Sequence, residues 1–364
     1  MTVVVKVGTS SITDEAGEVA RPAVAKLAAE VAGLRSEGHR VVVVTSGAIA
    51  AGLPALGLAG RRPNDVATLQ AVSAVGQSRL MVVYDEALAA CGLVGGQVLL
   101  APLDFVHRSQ YLHARDTLKR LLELGVVPVI NENDAVADDE IRFGDNDRLA
   151  ALVANLVGAE LLVLLTDMPG VLSADPRLGD GASLIAEIVA VDSVLEAAAG
   201  GSGSERGSGG MASKLAAAKM ASWSGVRTVI AAATRDGVLA GAVGGEAGVG
   251  TVVWPHERRL PARKLWIAFA VGASGTIVVD DGARRALVER GTSLLAAGVR
   301  EVRGAFGPED AVEICDGGGQ VFAKGLVTLS SAELASIAGR RTSELPDGVR
   351  PEVVHRDDLV TLPG

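Results

Sequence analysis

Two lysines stand beside turns rich in glycine and serine. Lysine is scarce in this chain, with seven among 34 basic residues. Lys6 leads into VGTS at 7–10, and Lys214 ends GSGGMASK at 207–214. Glycine lets backbone N–H groups approach phosphate oxygens, and a nearby lysine supplies a mobile cation for the β- and γ-phosphates. The two segments indicate a phosphate site, with solvated surface lysines beside flexible loops as the alternative.

The densest polar cluster, NENDAVADDEIRFGDNDR at 131–148, follows an apolar run that ends at Ile130. Its asparagine and aspartate side chains suit hydrogen bonding to the ammonium group of a zwitterion. Its carboxylates also suit a hydrated Mg²⁺ ion. A plain acidic loop is the alternative, but the position after a buried strand favours a binding role.

Two further turns follow strand-like runs. TSGA at 45–48 would direct Ser46 at a ligand, with Gly47 allowing close approach of the backbone. LLVLLTDMPGV at 161–171 ends its apolar run at Thr166 and Asp167, which could hold a nucleotide base or ribose. Ligands of open α/β sheets gather at the carboxyl ends of strands. Purely structural turns remain the alternative for both segments.

These turns need a scaffold, and the apolar pattern supplies one. Continuous runs rich in β-branched residues or leucine alternate with helical patterns through the first 260 residues. This alternation predicts an α/β sandwich with a mostly parallel sheet covered on both faces. The predicted strands are residues 3–7, 40–45, 96–100, 126–130, 161–166 and 228–231, and helices are predicted at 23–37, 68–90 and 109–124.

The pattern changes near Pro255. Residues 255–264 are polar, contain two prolines and indicate a linker. Short apolar runs separated by glycines follow, at 276–279, 298–303, 311–315 and 321–329. They indicate a small β-rich domain of about ninety residues, an ordinary domain size. The composition of 200–210, GGSGSERGSGG, is typical of a flexible loop.

Composition excludes several classes of protein. The net charge of -9 argues against a general affinity for nucleic acid or anionic membranes. The two cysteines are far apart, so neither a metal site nor a disulfide framework is predicted, and a reducing cytoplasm is the expected compartment. Residues 41–60 are uncharged, but four glycines and a proline favour a strand, a turn and a short helix over a membrane span.

Taken in order, these segments resemble the amino-acid kinase family, and within it the branch that acts on glutamate. INENDAV followed by GDND is specific to that branch, whereas the glycine turns alone are not. The match departs modestly at Met168, Pro169 and Gly170 and at the Glu205 and Arg206 pair, all near the nucleotide side. The segments that match are VVKVGTS at 4–10, VVTSGAIAAG at 43–52, AVGQSRL at 74–80, VPVINENDAVA at 127–137, GDNDRL at 144–149, LLTD at 164–167, ADPR at 174–177, GGMASK at 209–214 and HRDD at 355–358.

The resemblance implies a kinase domain over residues 1–254, a three-layer sandwich, followed after the linker by a β-barrel-like PUA domain over 265–358. It implies ATP with Mg²⁺ as cofactors, L-glutamate as phosphoryl acceptor and L-glutamyl 5-phosphate as product, the first step of proline synthesis. It also implies feedback inhibition by proline, a cytoplasmic location and a homo-oligomer.

The resemblance also assigns residues to roles. Lys6 and Lys214 match the catalytic lysines that handle phosphate, and Asp147 matches the carboxylate that organises them. The positions that match the glutamate site are Ser46, Asn131, Asp134, Asp145 and Asn146. Those that match the nucleotide side are Lys6, Gly8, Thr166, Asp167, Ser208, Gly209, Gly210, Met211, Ala212, Ser213 and Lys214. No metal ligand is predicted from the protein itself.

Two other functions compete with this one. A sibling kinase would act on acetylglutamate, aspartate, carbamate or a nucleoside monophosphate, and the INENDAV segment argues for glutamate instead. An RNA-binding protein is suggested by the PUA-like tail. Residues 262–364 hold 12 Lys and Arg against 14 Asp and Glu, so the tail lacks the basic excess of a duplex-binding face.

Overall fold

The computed structural model describes residues 1–14, 18–105, 107–136, 146–174, 182–192, 195, 210–257, 259–345 and 350–362. The chain divides into two compact units, Met1–Leu260 and Pro261–Gly364. The segment predicted as a linker, 255–264, is split at this boundary. Leu260 is buried in the first unit, where its N–H donates to the carbonyl of Trp223.

The first unit is an α/β sandwich around one eight-stranded sheet, and this class confirms the prediction. Its strands are β1 (Thr2–Val7), β2 (Arg40–Thr45), β3 (Gly95–Leu100), β4 (Val127–Glu132), β5 (Leu161–Thr166), β6 (Glu187–Ile188), β7 (Arg227–Ala232) and β8 (Thr251–Val253). Its described helices are α1 (Thr9–Ile12), α2 (Arg21–Ser36), α3 (Ala48–Gly52), α4 (Val66–Ala90), α5 (Arg108–Glu123), α6 (Asn146–Leu156), α7 (Met211–Trp223) and α8 (Val238–Gly244), with 3₁₀ turns at Pro54–Leu56, Pro102–Phe105 and Asp134–Val136.

The strand order is β3-β4-β2-β1-β5-β7-β8-β6, and all pairs are parallel except the antiparallel β7–β8 pair. Every residue of β1 and β5 is buried, as expected for continuous valine and leucine runs covered on both faces. The apolar core of this unit gathers side chains from β1, β2, β4, β5 and β7 with those of α2, α4 and α8. The polar site residues are therefore placed at the strand ends, because the sheet interior is apolar.

Residues 41–60 form a buried strand, a glycine turn and a short helix, as predicted. Gly47 has φ of 96°, a left-handed conformation that glycine adopts without strain. Helix α3 then crosses α4 at backbone contact: a Cβ on Gly76 would lie 1.7 Å from the carbonyl oxygen of Ala48. This close approach fixes the turn after β2 against the middle of α4.

Helix α4 is the one helix in the described ranges that is long and apolar enough to cross a membrane by length and composition. Core helices of globular proteins pass the same test. It begins at an Asp65 cap, whose carboxylate accepts from the Thr68 N–H. Its buried residues include Ser73, Gln77 and Tyr84, which contact residues of the site.

The second unit has its own sheet and its own core. Its elements are α9 (Ala262–Leu265), a π-helical turn (Trp266–Ala270), β9 (Gly275–Val279), α10 (Asp281–Arg290), β10 (Leu294–Leu295), β11 (Val299–Gly304), β12 (Ala311–Cys315), β13 (Val321–Val327), α11 (Ser331–Ile337) and β14 (Glu352–Thr361), with 3₁₀ turns at Ala296–Gly298 and Thr342–Glu344. The sheet order is β10-β14-β13-β12-β9-β11, and its pairs are antiparallel except β9–β12. The core is formed by residues between Ile277 and Leu359.

Candidate active site

Candidate residues from four of the motifs lie at the carboxyl ends of four adjacent parallel strands, β4, β2, β1 and β5. Asn131 is near the end of β4, Ser46 directly follows β2, Gly8 follows β1, and Thr166 ends β5. Parallel strands place their carboxyl ends along one edge of the sheet, where ligands of such folds bind. Motifs distant in sequence are therefore brought to one edge.

Lys6 and Lys214 share one carboxylate. The Nζ of Lys6 lies 2.6 Å from Asp147 Oδ1, and the Nζ of Lys214 lies 3.0 Å from Asp147 Oδ2. Ser213 adds a 2.8 Å hydrogen bond from its hydroxyl to Oδ2. The side chains of the two lysines are 4% and 7% exposed, and that of Asp147 is 0% exposed. The alternative of solvated surface lysines is therefore wrong.

The charges of Lys6, Lys214 and Asp147 do not cancel. Burial by itself would raise the pKa of Asp147, but the ammonium groups of Lys6 and Lys214 outweigh burial and hold that pKa at about 2. Asp147 is therefore ionised at neutral pH, and two cations with one anion leave one positive charge. Buried charge is costly unless it is paired, so the cluster favours the arrival of an anion.

A second cluster consists of amide and hydroxyl groups. The Nδ2 of Asn146 donates to Ser46 Oγ at 2.9 Å and to Asn131 Oδ1 at 3.1 Å. Its Oδ1 is buried and has no hydrogen-bond partner among the described residues. The amide of Asn146 has therefore used its donors and keeps an acceptor, which is what the ammonium group of an amino acid requires.

Strand β4 extends further than predicted and includes Asn131 and Glu132. The sequence placed its end at residue 130, whereas β4 continues to Glu132. Polar residues can continue a buried strand here because Asn131 is hydrogen bonded: its Nδ2 donates to Gln77 at 3.3 Å, and its Oδ1 accepts from Asn146 and from the Glu132 N–H.

Asp134 lies in the 3₁₀ turn after β4 and faces α4. The hydroxyl of Ser73 donates to its Oδ2 at 2.5 Å. Burial raises the pKa of Asp134 above its usual value, against the opposing effects of the Ser73 hydrogen bond and the positive charge of Arg62. An additional cationic partner would stabilise the ionised form of this poorly solvated carboxylate.

Residues predicted for the nucleotide side occupy β5 and the start of α7. Thr166 donates from its hydroxyl to Asp167 Oδ1 at 3.0 Å, on the strand that pairs with β1. Gly8 lies beside the Lys6 ammonium group, which a Cβ on that glycine would meet at 3.6 Å. Gly210 is the N-cap of α7, and Met211 and Ala212 form the first turn of that helix before Ser213 and Lys214. Asp145, Ser208, Gly209, the pair Glu205 and Arg206, and nearly all of the predicted loop 200–210 lie outside the described residues.

The sequence reasoning missed the residues of α4 and β2 that support these clusters. Gln77 hydrogen bonds to Asn131, Ser73 to Asp134, and Tyr84 to the hydroxyl of Thr45, the residue before Ser46. Their signal in the sequence was available. Polar residues at positions 73, 77 and 84 share one face of the helix.

Comparison with known proteins gives a match over nearly the whole chain. The profile described as "Amino acid kinase family" matches residues 1–232, and that of the PUA domain matches residues 275–349. The glutamate 5-kinase of Pelobacter propionicus is 45% identical over 364 residues, covering 99% of this chain and 97% of that protein. The glutamate 5-kinase of Nostoc sp. is 45% identical over 366 residues, covering 99% and 96%.

Similarity to solved structures supports the fold. Carbamate kinase from Giardia lamblia bound to AMP-PNP superimposes with a TM-score of 0.51 at 19% identity. The match covers 70% of this chain and 98% of that one. At such identity the likeness concerns the architecture of the first unit and not its substrate.

Proposed function

Since the chain belongs to the amino acid kinase family, and within it to the glutamate 5-kinases, we propose that it transfers the γ-phosphoryl group of ATP to the side-chain carboxylate of L-glutamate. The products are L-glutamyl 5-phosphate and ADP, and the reaction is the first step of proline synthesis. The observation that carries the proposal is the buried bridge from Lys6 through Asp147 to Lys214, beside a cluster that offers an acceptor to an ammonium group.

The reaction needs little covalent chemistry from the protein. A glutamate carboxyl has an ordinary pKa of about 4.3, so it is ionised at neutral pH and needs no general base. One of its oxygens attacks the γ-phosphorus, and the bond from that phosphorus to the bridging oxygen of ADP breaks. The difficulty is to bring two anions together and to stabilise charge on the transferring group, so catalysis is mainly positioning and electrostatics.

The two lysines match this requirement. Lys6 on β1 and Lys214 on α7 would neutralise the phosphoryl oxygens from two directions, while Asp147 holds both ammonium groups in place. Their single excess positive charge is complementary to a transferring phosphoryl group. The N–H groups at the start of α7 and the residues Thr166 and Asp167 would bind the rest of the nucleotide.

Mg²⁺ fits this arrangement as an ion held by the nucleotide. Among the residues that the structure describes, no group of three or more His, Cys, Asp or Glu side chains could hold a metal. In our proposal the ion would arrive with ATP and neutralise negative charge on its phosphates.

The acceptor side would bind glutamate through Ser46, Asn131, Asp134 and Asn146. The free Oδ1 of Asn146 and the carboxylate of Asp134 are suited to the α-ammonium group, with Ser46 beside them. Proline carries the same α-carboxylate and an amino group, so we propose that it inhibits by binding at or over this site. We further propose that the protein forms a homo-oligomer and is located in the cytoplasm.

The test is a substrate panel in which acyl phosphate is trapped with hydroxylamine. Purified protein with MgATP should form hydroxamate with L-glutamate, and much less with aspartate or N-acetylglutamate, because an acetyl group removes the cationic ammonium. Equal turnover of N-acetylglutamate would instead favour a sibling kinase. Absence of turnover with every acid in the panel would reject the kinase assignment.

A further inference from the structure

Helix α4 presents a buried polar face to the acceptor side of the site. Ser73, Gln77 and Tyr84 are at relative positions 0, 4 and 11, which places them within about 40° of one another around a helix. Their exposures are 1%, 9% and 2%. Burying a polar group is costly unless it is hydrogen bonded, and each of the three contacts a different part of the site.

Gln77 and the backbone N–H of Glu132, which donates to Asn131 Oδ1 at 2.9 Å, together determine which way two amides point. The Nε2 of Gln77 donates to the carbonyl oxygen of Glu132 at 3.2 Å, so its Oε1 is the atom left to face Asn131. That oxygen accepts from Asn131 Nδ2 at 3.3 Å, which leaves Asn131 Oδ1 facing Asn146. Asn146 must then donate from Nδ2, and its Oδ1 remains as the free acceptor.

Tyr84 holds the neighbouring turn. The hydroxyl of Thr45 donates to the carbonyl oxygen of Ser46 at 3.0 Å, so Thr45 has no second hydrogen to give. The Tyr84 hydroxyl, 2.8 Å away, is therefore the donor to Thr45. This chain of two bonds fixes the backbone of the residue whose Oγ accepts from Asn146.

We propose that the polar face of α4 is the positioning element of the acceptor site, and that Gln77, together with the Glu132 N–H, sets the polarity of the Asn131 and Asn146 amides. The inference rests on the proposed function and deepens it. Without Gln77, Asn131 Nδ2 loses its acceptor, so only the Glu132 N–H still opposes a turn of the Asn131 amide, a turn that Asn146 would follow. Asn146 would then present N–H groups to a ligand ammonium and weaken its binding. The lysine cluster has its own contacts, so the nucleotide side is unaffected.

The test compares steady-state kinetics of Gln77→Met and Tyr84→Phe with the parent enzyme. Gln77→Met keeps similar volume and removes the amide, and we expect it to raise the KM for glutamate about tenfold or more. Tyr84→Phe removes one hydroxyl, and its effect should be smaller, about fivefold. In both variants the KM for ATP should stay within about twofold of the parent value, and kcat should fall less than the glutamate KM rises. Calorimetric titration with glutamate should give matching losses of affinity.

Gln97→Met is the matched control. The exposed Gln97 also donates to Gln77 Oε1, at 3.3 Å, but it makes no hydrogen bond to Asn131 or Asn146 among the described residues. Its removal takes one bond from Gln77 and leaves the relay to Asn146 in place. The glutamate KM of this variant should stay within about twofold of the parent value.

The outcomes distinguish failure of the proposed function from failure of the role proposed for α4. A parent enzyme without glutamate-dependent turnover overturns the proposed function, and this inference with it. An active parent whose Gln77→Met variant keeps its glutamate KM overturns the inference alone. So does a variant in which the KM values for glutamate and ATP rise together with a fall in melting temperature, since that pattern indicates a general packing role.

Discussion

Asn146 donates a 2.9 Å hydrogen bond to the hydroxyl of Ser46, 100 residues earlier in the chain. The bond joins the first residue of α6 to the turn that follows β2. Asp147, the next residue of α6, holds both lysines. The bond therefore links the proposed acceptor side to the charged cluster through adjacent residues of one helix turn.

Ser46→Ala should raise the KM for glutamate about five- to tenfold, because it removes one partner of Asn146 and one polar contact for the ligand. Asn146→Ala should have a larger effect. If the two side chains act through their mutual bond, the double variant will be less impaired than the product of the single effects, with a coupling of about 1 kcal/mol. Strictly multiplicative losses in kcat/KM would show that the bond has no role in binding.

Lys6→Ala and Lys214→Ala should each lower kcat about 10²–10³-fold, with a smaller change in the glutamate KM. The reason is that each removes a cation that would act on charge developing in the transition state. Single-turnover measurement of hydroxamate formation tests this directly.

Lys119→Ala is the control for that pair. Lys119 is on α5 with a side chain that is 70% exposed. It represents the surface lysine that the sequence alone allowed for Lys6 and Lys214. Its kcat should equal that of the parent, and an unchanged kcat in the Lys6 and Lys214 variants as well would remove both lysines from the mechanism.

Asp147→Asn should destabilise the fold as well as impair turnover, because two buried ammonium groups lose their counter-charge at a cost of about 3–5 kcal/mol. The pKa of Asp147 is lowered to about 2 from an ordinary 3.8. The carboxylate therefore contributes stability that is fully present above pH 3.8 and is lost as the pH falls toward 2. Denaturant unfolding across this range should show the parent losing its advantage over the variant, and a constant difference would contradict the assignment.

Asp134→Asn should stabilise the fold at neutral pH, whereas Asp147→Asn should destabilise it. Burial raises the pKa of Asp134 above 3.8, so its ionised form is disfavoured in the folded chain and costs stability as the pH rises through the raised pKa. The variant keeps an oxygen for Ser73 and should melt at a higher temperature than the parent at neutral pH, and this difference in melting temperature should disappear below pH 3.8.

The glutamate KM of Asp134→Asn should nevertheless rise, since the carboxylate proposed to face the ammonium group is gone. Proline inhibition should weaken in parallel, and a variant that is destabilised at pH 7 would contradict a stability cost from ionised Asp134.

The sequence was sufficient for the parts of the fold that are made of continuous apolar runs. Strand β5 is a single stretch of leucine and valine before Thr166, and its neighbour β1 is mostly valine, so their type and position could be predicted closely. Strand β14 (Glu352–Thr361) was not predicted, because HRDD interrupts its apolar pattern and its partners β10 and β13 are supplied by tertiary contact. The two-residue strand β6 has too little pattern to be detected.

For the site, motifs identified the residues but not their surroundings. The burial of Lys6 and Lys214 could not be derived from local sequence, because it depends on Asp147, which is contributed by a different element. Likewise, helical periodicity indicates which side of α4 holds Gln77 and Tyr84. It does not say which polar atoms meet that side, since those belong to β2 and β4.

The second unit contributes no residue to the proposed reaction. Every residue assigned to the reaction lies before Lys219, and each unit has a separate apolar core. The first compact unit ends at Leu260, whose side chain is buried and whose N–H is bonded to Trp223 within that unit.

We therefore propose that residues 1–261 fold alone and keep the phosphoryl-transfer step, since a domain with its own core can fold independently. The PUA unit, with a net charge of -2 over 262–364, would instead tune stability, assembly or feedback. Glutamate-dependent ATP turnover of the truncated chain should have a kcat within a few-fold of the full chain, with melting curves and light scattering recorded for both. A truncated protein that is folded and soluble but inactive would show that the second unit completes the active site.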